Sequence, residues 1–568
     1  MISRRAKAWI ACIAWTASAL GACGPEEGGQ LALKLTVARQ ALGTRAEPQP
    51  PGEPPADIDT FRICVSKSGG ERLTCKTFGS PAANVAYRID GIPQASNLVV
   101  SFQGYMAGEE VALWCGKANG VEVRHKETTR VQMMLSRCGD FTSTLGELNI
   151  ARAFHSASLI LDGSAVLLGG FDQEREGSCS HPCRELVATG SAEIYDPGSG
   201  EFVELAPMTH PRGLHAAMAL PDKRVLVVGG CEVASLQSSF EDSDLPGSPL
   251  RCIEPGMAAQ TAEIYNPVTE SSHAEEIPFT LFATPIPIGE DKLLLVGGQD
   301  ETGAAINRAL LIHIDGSLFD LIKIESPLDQ PRRAATAAVF SGEGDEAIEA
   351  LLVGGMAAPE WYDPGPYAER LVFQSDSLRS GIPRFVEEVV GEGLPIMHAC
   401  AARVGPGHVL ICGGIYPGRF DSLDEPFLPK PLHTTALADL ALDSLEVLDE
   451  QDRLATPRVF HTCTPLGSGT ALVAGGFEKR DPDAVLHHAA TDSAEWWDDG
   501  EAAFSLRWVG DSPASMSSTR AGHSATRMAD DTVLVAGGTD GNFFLVSAEL
   551  FNPASARLDE PEEDGEKD

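Results

Sequence analysis

The sequence predicts an all-β protein with two parts, an N-terminal β-sandwich-like module and a larger array of repeated strands. The 568 residues include 57 glycines and 38 prolines, which is typical of many short strands joined by turns. From residue 140 onward, short apolar runs end in glycine pairs at near-regular spacing. A chain of this length exceeds what one ordinary core supports, so we expect more than one domain or a large repeat array.

The first residues form an export pattern. Arg4, Arg5 and Lys7 precede the apolar stretch AWIACIAWTASAL at positions 8–20, and the tetrapeptide LGAC, which ends at Cys23, follows directly. The apolar stretch is too short to span a bilayer. This pattern resembles a bacterial lipoprotein signal; the alternatives are an ordinary secretory signal and an apolar helix with a chance cysteine.

The lipoprotein resemblance has several implications. It implies that residues 1–22 are a signal peptide, that Cys23 is the lipidated first residue of the mature chain, and that residues 23–30 are a tether. Position 24 is glycine and not the aspartate that retains such proteins at the inner membrane. The resemblance therefore implies an outer-membrane anchor, with its periplasmic or surface orientation open.

The chain is strongly acidic, with 43 Lys and Arg against 81 Asp and Glu and a net charge of −38. Such a surface repels nucleic acid and anionic lipid headgroups, so we expect no nucleic-acid partner and no membrane contact besides the lipid anchor. Residues 559–568 are expected to form an acidic disordered tail.

Residues 31–139 alternate apolar and polar side chains as strands do, apart from a proline-rich loop at 44–57 that cannot join a sheet. A hairpin that turns at Gly69 and Gly70 sets Cys64 opposite Cys75, which predicts a cross-strand disulfide. A second expected pair is Cys115 with Cys138. The module resembles the transthyretin-like or immunoglobulin-like domains found near lipoprotein anchors, which implies a spacer or an accessory binding domain.

Residues 140–558 repeat one pattern. Four copies of Arg-x-x-His place a histidine fourteen residues before a glycine pair, at His155, His215, His461 and His523. Downstream segments such as SAEIYDP and SAELFNP indicate a third strand that ends in a turn. The glycine pairs are Gly169-Gly170, Gly229-Gly230, Gly297-Gly298, Gly354-Gly355, Gly413-Gly414, Gly475-Gly476 and Gly537-Gly538.

The order of these elements resembles a kelch repeat, which implies a kelch-type β-propeller of seven four-stranded blades. Three repeats depart from the pattern, with Ala283 and Ala335 at the histidine position and His398 one residue out of register. Six or eight blades therefore stay open. The strand that completes the last blade is either residues 556–560 or residues 140–148.

The glycine pairs have a structural interpretation. Each follows a buried strand, where glycine allows close contact with a neighbouring blade or a positive φ. A phosphate-binding loop is disfavoured because no pair is followed by lysine and serine at the spacing of such loops. We therefore expect no cofactor.

Antiparallel blades place the long second-to-third connections and the connections between blades on one face, which is the candidate binding face. Five arginines belong to it and are candidate ligands for carboxylates or sulfated sugars: Arg152, Arg212, Arg332, Arg458 and Arg520. The favoured alternative is that arginines and histidines hydrogen-bond backbone at their own blade junctions. The histidines, including His398, show no clustered ligand pattern, so no metal site is expected.

The other cysteines are consistent with an oxidising compartment. Cys231 with Cys252 would staple the longest loop, and Cys179 with Cys183 a shorter one. Three more, Cys400, Cys412 and Cys463, leave one expected free thiol with the pairing open.

Together these observations predict a lipid-anchored, non-catalytic scaffold that binds an unidentified protein or glycan through its loop-rich face. The alternative is a propeller enzyme such as a copper oxidase of the galactose oxidase type. That chemistry needs a cysteine-linked tyrosine, a second tyrosine and two histidines around copper. Tyr195, Tyr265 and Tyr362 lie in the repeated third strand, where packing explains them.

Overall fold

The computed structural model is all-β, with one short 3-10 helix at Ala258–Gln260 among the residues that it describes. These are residues 29–37 and 57–553 except 69, 83–84, 86, 110, 126, 177–182, 238–249, 317, 325–327, 329, 342–346, 357–367, 375–387, 391–395, 406, 416–430, 440–443, 468, 481–487, 506–507 and 510–511. The expected signal peptide, Cys23 and the acidic tail lie outside them. No helix within these ranges is long and apolar enough to cross a membrane.

The N-terminal module has seven strands: β1 (Gly29–Val37), β2 (Thr60–Lys67), β3 (Arg72–Gly79), β4 (Tyr87–Ile92), β5 (Ala95–Tyr105), β6 (Trp114–Val123) and β7 (Thr128–Arg137). They form one sheet in the order β3-β2-β5-β6-β7-β1-β4, in which β1 is parallel to β7. Phe61 on β2 contacts Tyr87 on β4 at 4.8 Å between ring centroids, so the two ends of the sheet meet across one core.

The rest of the chain continues with short strands. The first group is β8 (Phe141–Ser143), β9 (Ser156–Leu159), β10 (Ala165–Leu168), β11 (Phe171–Glu176), β12 (Cys183–Ala188), β13 (Ala192–Asp196), β14 (Glu201–Leu205), β15 (Ala216–Ala219), β16 (Val225–Val228), β17 (Val233–Gln237), β18 (Leu250–Glu254), β19 (Thr261–Asn266) and β20 (Ser271–Glu276). The second group is β21 (Thr284–Pro287), β22 (Lys292–Val296), β23 (Ala309–Asp315), β24 (Leu318–Ile324), β25 (Thr336–Ser341), β26 (Ala347–Val353), β27 (Ala368–Gln374), β28 (Glu388–Val390), β29 (Cys400–Arg403), β30 (His408–Cys412), β31 (Thr435–Asp439) and β32 (Ser444–Val447). The last group is β33 (Thr462–Gly467), β34 (Thr470–Ala474), β35 (Phe477–Arg480), β36 (His488–Ala490), β37 (Ala494–Asp498), β38 (Ala503–Ser505), β39 (Trp508–Val509), β40 (Ser512–Pro513), β41 (Ser524–Arg527), β42 (Val533–Ala536) and β43 (Ala548–Phe551).

Seven four-stranded antiparallel sheets of the described strands each carry one glycine pair directly after the second strand. We call them repeats one to seven: β9-β10-β13-β14, β15-β16-β19-β20, β21-β22-β23-β24, β25-β26-β27-β28, β29-β30-β31-β32, β33-β34-β37-β38 and β41-β42-β43-β8. The fourth strand of repeat seven is β8, which lies within residues 140–148 and pairs antiparallel with β43. The second strands are buried, as in Val225–Val228, because sheets pack against both of their faces.

The glycine pairs join neighbouring repeats. All fourteen glycines have positive φ, and in six of the seven pairs the amide of the second glycine donates to a carbonyl oxygen of the next repeat; for example, Gly170 N donates to Arg212 O at 2.8 Å. Gly538 N in repeat seven donates to Arg152 O in repeat one at the same distance. A Cβ on Gly537 would lie 2.6 Å from Arg152 O, which is closer than real Cβ atoms approach. The glycines therefore permit both the backbone conformation and the close contact.

A second series of contacts links the residues that stand at the Phe154 position of each repeat. We call them the hub residues: Phe154, Leu214, Phe282, Ala334, His398, Phe460 and Gly522. All seven have positive φ, and backbone hydrogen bonds join five of the seven consecutive pairs. Phe154 N, for example, donates to Gly522 O at 2.6 Å, which connects repeat one to repeat seven.

The module packs on repeats one and seven through polar contacts. Lys117 pairs with Asp531 at 2.5 Å, and Asn552 Nδ2 donates to Ser136 Oγ at 2.9 Å. Gln132 donates to the Gly198 carbonyl oxygen. The small N-terminal sheet is thus attached to the repeat array by side-chain contacts as well as by the chain between β7 and β8.

Three of the four expected disulfides are present: Cys64–Cys75, Cys115–Cys138 and Cys231–Cys252. The fourth expected pair includes Cys179, which lies outside the described residues. Cys400, Cys412 and Cys463 are all free thiols, whereas the sequence suggested that one of them would be free.

Candidate functional site

The five arginines predicted as candidate binding residues are buried, with 2% exposure or less. Each guanidinium donates to the carbonyl oxygen of the first glycine of its own repeat and pairs with a glutamate on the third strand. Arg152, for example, contacts Gly169 O at 2.9 Å and Glu193 at 2.7 Å. The corresponding pairs are Arg212–Glu263, Arg332–Glu369, Arg458–Glu495 and Arg520–Glu549. These buried arginines hydrogen-bond backbone within their own repeat, as the structural alternative proposed for them.

Four of the five glutamates extend this network to the backbone that enters their repeat. Glu193 accepts hydrogen bonds from the amides of Asn149 and Ile150, at 2.7 and 3.1 Å. Glu495 accepts in the same way from Ala455 and Thr456. Because both carboxylate oxygens have donors, these buried charges are well compensated.

The sequence carries a signal for these pairs that our interpretation missed. Repeats three and five lack the arginine, with Thr280 and Ile396 in its place. They also lack the glutamate, because Leu310 and Ala436 occupy the register position of Glu193. Arginine and glutamate are thus present or absent together in all seven repeats.

The repeat histidines bond to the preceding repeat, not to backbone in their own. His155 Nε2 lies 2.9 Å from Ser524 Oγ, His215 Nε2 lies 2.8 Å from Ser156 Oγ, and His523 Nε2 lies 2.9 Å from Thr462 Oγ1. Burial lowers the pKa of His215 to about 3, and burial likewise lowers the pKa of His155 and of His523. These histidines are therefore neutral hydrogen-bonding links between sheets.

The described ends of the long connections lie on one face, which we call the loop face: the end of the repeat sheets where second strands end and first strands begin. Two of these connections form a further four-stranded sheet, β11-β12-β17-β18, which we call the accessory sheet. In this sheet, the connection between the second and third strands of repeat one pairs with the corresponding connection of repeat two. The Cys231–Cys252 disulfide links the β17 and β18 sides of the second connection. The sequence predicted elaborated loops here, but strand pairing between two different loops has no local pattern that would reveal it.

Arg333 provides a positive charge at the loop face. It follows Arg332 in the connection into repeat four, is partly buried, and donates to Gln299 Oε1 at 2.6 Å. Burial, with a smaller contribution from the positive charge of Arg251 on β18, lowers the pKa of Arg333 to about 10. Among the described residues, Arg333 contacts amide and carbonyl oxygens and no carboxylate, in contrast to its neighbour Arg332.

The hub beneath this charge is apolar. One hydrophobic cluster takes a buried residue from every repeat: Phe171, Cys231, Leu281, Met356, Met397, Val459 and Ala521 are examples. Phe154 and Phe460 of the hub pack against it and contact each other at 5.3 Å between ring centroids. Burial and the charge of Arg333 lower the pKa of His398, the polar hub residue, to about 4. Among the described residues, the hub is therefore predominantly apolar.

Within the described part of the chain, Tyr195 and Tyr265 do not come together as the copper oxidase alternative requires. Tyr195 and Tyr265 are fully buried in the third strands of different repeats, and Tyr265 Oη donates to Ala206 O at 2.6 Å. Tyr362 lies outside the described residues. The two described tyrosines are packing residues, as the sequence suggested.

A cavity of 610 Å³ lies between the N-terminal module and repeats six and seven. Its lining includes Lys117, Arg527 and Asp531, which pair with one another: both cations contact the Asp531 carboxylate. Because these charges compensate each other, the cavity fits a contact between domains better than the capture of a charged ligand.

Comparison with known proteins finds no protein family whose model matches this chain and no curated protein that matches it.

Proposed function

We propose that this chain is a lipid-anchored, exported β-propeller of seven kelch-like blades, whose loop face binds an anionic group of a protein or glycan without catalysis. The propeller proposal is supported by the seven repeat sheets, by the apolar cluster with a member from each, and by the Gly538–Arg152 hydrogen bond. The export pattern at residues 4–23 supports the anchor. The N-terminal module acts as a spacer between anchor and propeller.

The observation that carries the binding proposal is the charge of Arg333. A partly buried guanidinium without a carboxylate contact among the described residues is unusual in a chain with net charge −38. The nearby positive charge of Arg251 makes the local potential more favourable for an anion. The planar guanidinium of Arg333 can donate two parallel N–H hydrogen bonds to a carboxylate or sulfate of a partner.

The accessory sheet provides further contact residues for a partner beside Arg333. Its edge strand β11 exposes Gln173, Glu174, Arg175 and Glu176, and Ile253 on the other edge strand is exposed by 41%. Because strands β12 and β17 in its centre are buried, the sheet holds these side chains on a firm support. A partner would therefore contact mixed polar and apolar groups around one positive centre.

The proposal is tested with the full chain purified in detergent and applied to an array of sulfated, carboxylated and neutral glycans, and to envelope proteins by chemical crosslinking. We expect binding to anionic ligands that Arg333→Gln weakens about 10- to 100-fold, the size of a lost charged hydrogen bond. Arg224→Gln is the matched control, because Arg224 pairs with Asp222 on the opposite, tight-turn face. Equal binding by wild type and Arg333→Gln would contradict the proposal.

A further inference from the structure

Three cysteines and a histidine meet at the junction between repeats five and six. Cys400 on β29 stands directly opposite Cys412 on β30, and their Sγ atoms are 3.0 Å apart. The Sγ atoms of Cys412 and Cys463, on β33 of the next repeat, are 3.8 Å apart. Nε2 of His461 lies 4.0 Å from the Cys412 Sγ. The binding face described above does not use any of these groups.

This junction differs from the equivalent junctions in the same molecule. At three of them, the histidine Nε2 meets the hydroxyl of Ser524, Ser156 or Thr462 on the first strand of the preceding repeat. Cys400 occupies that hydroxyl position, because it pairs with the residue just before the glycine pair, as Ser156 pairs with Leu168.

The other two cysteines also replace inert residues. Cys412 stands where repeats one and six have Leu168 and Ala474, and Cys463 stands where repeat one has Ala157. Packing alone does not require cysteine at these positions, because aliphatic residues fill them in other repeats. Three thiols are therefore concentrated around the one repeat histidine that lacks a hydroxyl neighbour.

We propose that this junction is a binding site for one thiophilic d10 metal ion, zinc(II) or copper(I), held by Cys400, Cys412, Cys463 and Nε2 of His461. Three sulfurs and one imidazole are a common ligand set for tetrahedral zinc, and thiolates also favour copper(I). The Cys400 and Cys412 sulfurs and the His461 ring nitrogen all lie within 4.8 Å of one another. Binding releases the thiol protons to solvent as thiolate–metal bonds form.

The two sulfur–sulfur distances that involve Cys412 suit a metal with small adjustment. Two thiolates bound at about 2.3 Å to a tetrahedral ion are about 3.8 Å apart, the observed Cys412–Cys463 separation. The Cys400 and Cys412 sulfurs would move apart by under ~1 Å, which side-chain rotation allows. Buried apolar residues, including Leu410, Val473 and Trp497, surround the site. A closed site of this kind stabilises the junction between two sheets and gives no access to a substrate.

The test measures metal content of the full chain, purified in detergent without chelator from cells supplied with zinc or, separately, with copper. We expect about one metal ion per chain, with a metal–sulfur distance of about 2.3 Å by X-ray absorption. The two supplies distinguish zinc from copper. Cys412→Ser and His461→Gln are each expected to lower the metal content at least about tenfold.

His523→Gln is the matched control, because His523 holds the same repeat position but faces the Thr462 hydroxyl. It should leave the metal content unchanged. Circular dichroism verifies the folding of each variant, and the wild-type metal content decides the question even if a variant unfolds. A metal-free wild-type chain, with or without a Cys400–Cys412 disulfide in peptide maps, would overturn the proposal. So would a metal content that Cys412→Ser leaves intact.

Discussion

The backbone amide of Gly538 donates a hydrogen bond to the carbonyl oxygen of Arg152 at 2.8 Å, which joins the last repeat to the first. Arg152 in turn donates from its guanidinium to Gly169 O in its own repeat. One residue thus connects two glycine pairs, one through its backbone and the other through its side chain. The same arrangement links Gly475-Gly476 with Arg520 and Gly537.

The first prediction concerns this contact. Gly537→Ala should destabilise the protein strongly, because a Cβ would approach Arg152 O at 2.6 Å and alanine disfavours positive φ by about 1–2 kcal/mol. Gly316→Ala is the control, since Gly316 also has positive φ but no atom lies within 4 Å of its Cβ position. Calorimetric melting temperatures check this. A similar decrease for both variants would mean that only the backbone conformation matters.

The second prediction concerns the buried Arg–Glu pairs. Arg458→Ile should lower the free energy of unfolding by about 3–5 kcal/mol, because it leaves Glu495 buried without its cation. Adding Glu495→Ala should restore part of this loss, since repeat five has Ile396 and Ala436 at the same positions. Denaturant unfolding of the two single variants and the double variant measures the coupling. Additive losses would show that the two side chains do not interact.

The third prediction is the dependence of stability on pH. His215 has a folded pKa of about 3, below the value of about 6.5 in an unfolded chain. Its contribution is fully present above pH 6.5 and is lost as the pH falls toward 3, because the unfolded chain binds the proton more readily. Between pH 7 and pH 4, a range that lies largely between the folded and unfolded pKa values, the melting temperature of His215→Gln should therefore decrease less than that of wild type. The exposed His273 gives the control variant His273→Gln, which should behave as wild type.

The fourth prediction concerns the strand that completes repeat seven. Because β8 pairs with β43, ending the chain at Pro553 should leave the melting temperature unchanged. Phe141→Ala should lower it, since the Phe141 ring packs on Phe551 at 5.0 Å. A loss of stability on truncation would assign the fourth strand to residues 556–560 instead.

Much of the strand arrangement was predictable because glycine pairs and apolar runs recur locally. The sequence left two alternatives for the fourth strand of repeat seven, of which β8 is one. The accessory sheet was not predictable, because it joins segments whose sequences do not specify one another. The same limit applies to the candidate site: the repeated arginines drew attention, but the buried carboxylates that neutralise them come from a different strand. Arg333 was missed because it occurs once, and its importance depends on which groups surround it.

Hydrogen exchange of the full chain with and without its ligand tests the central claim most directly. We expect protection of the accessory-sheet edges, Phe171–Glu176 and Leu250–Glu254, and of the segment around Arg333. The tight turns at residues 161–164 and 220–223 should exchange as in the free chain. Protection confined to those turns or to the N-terminal module would contradict the account.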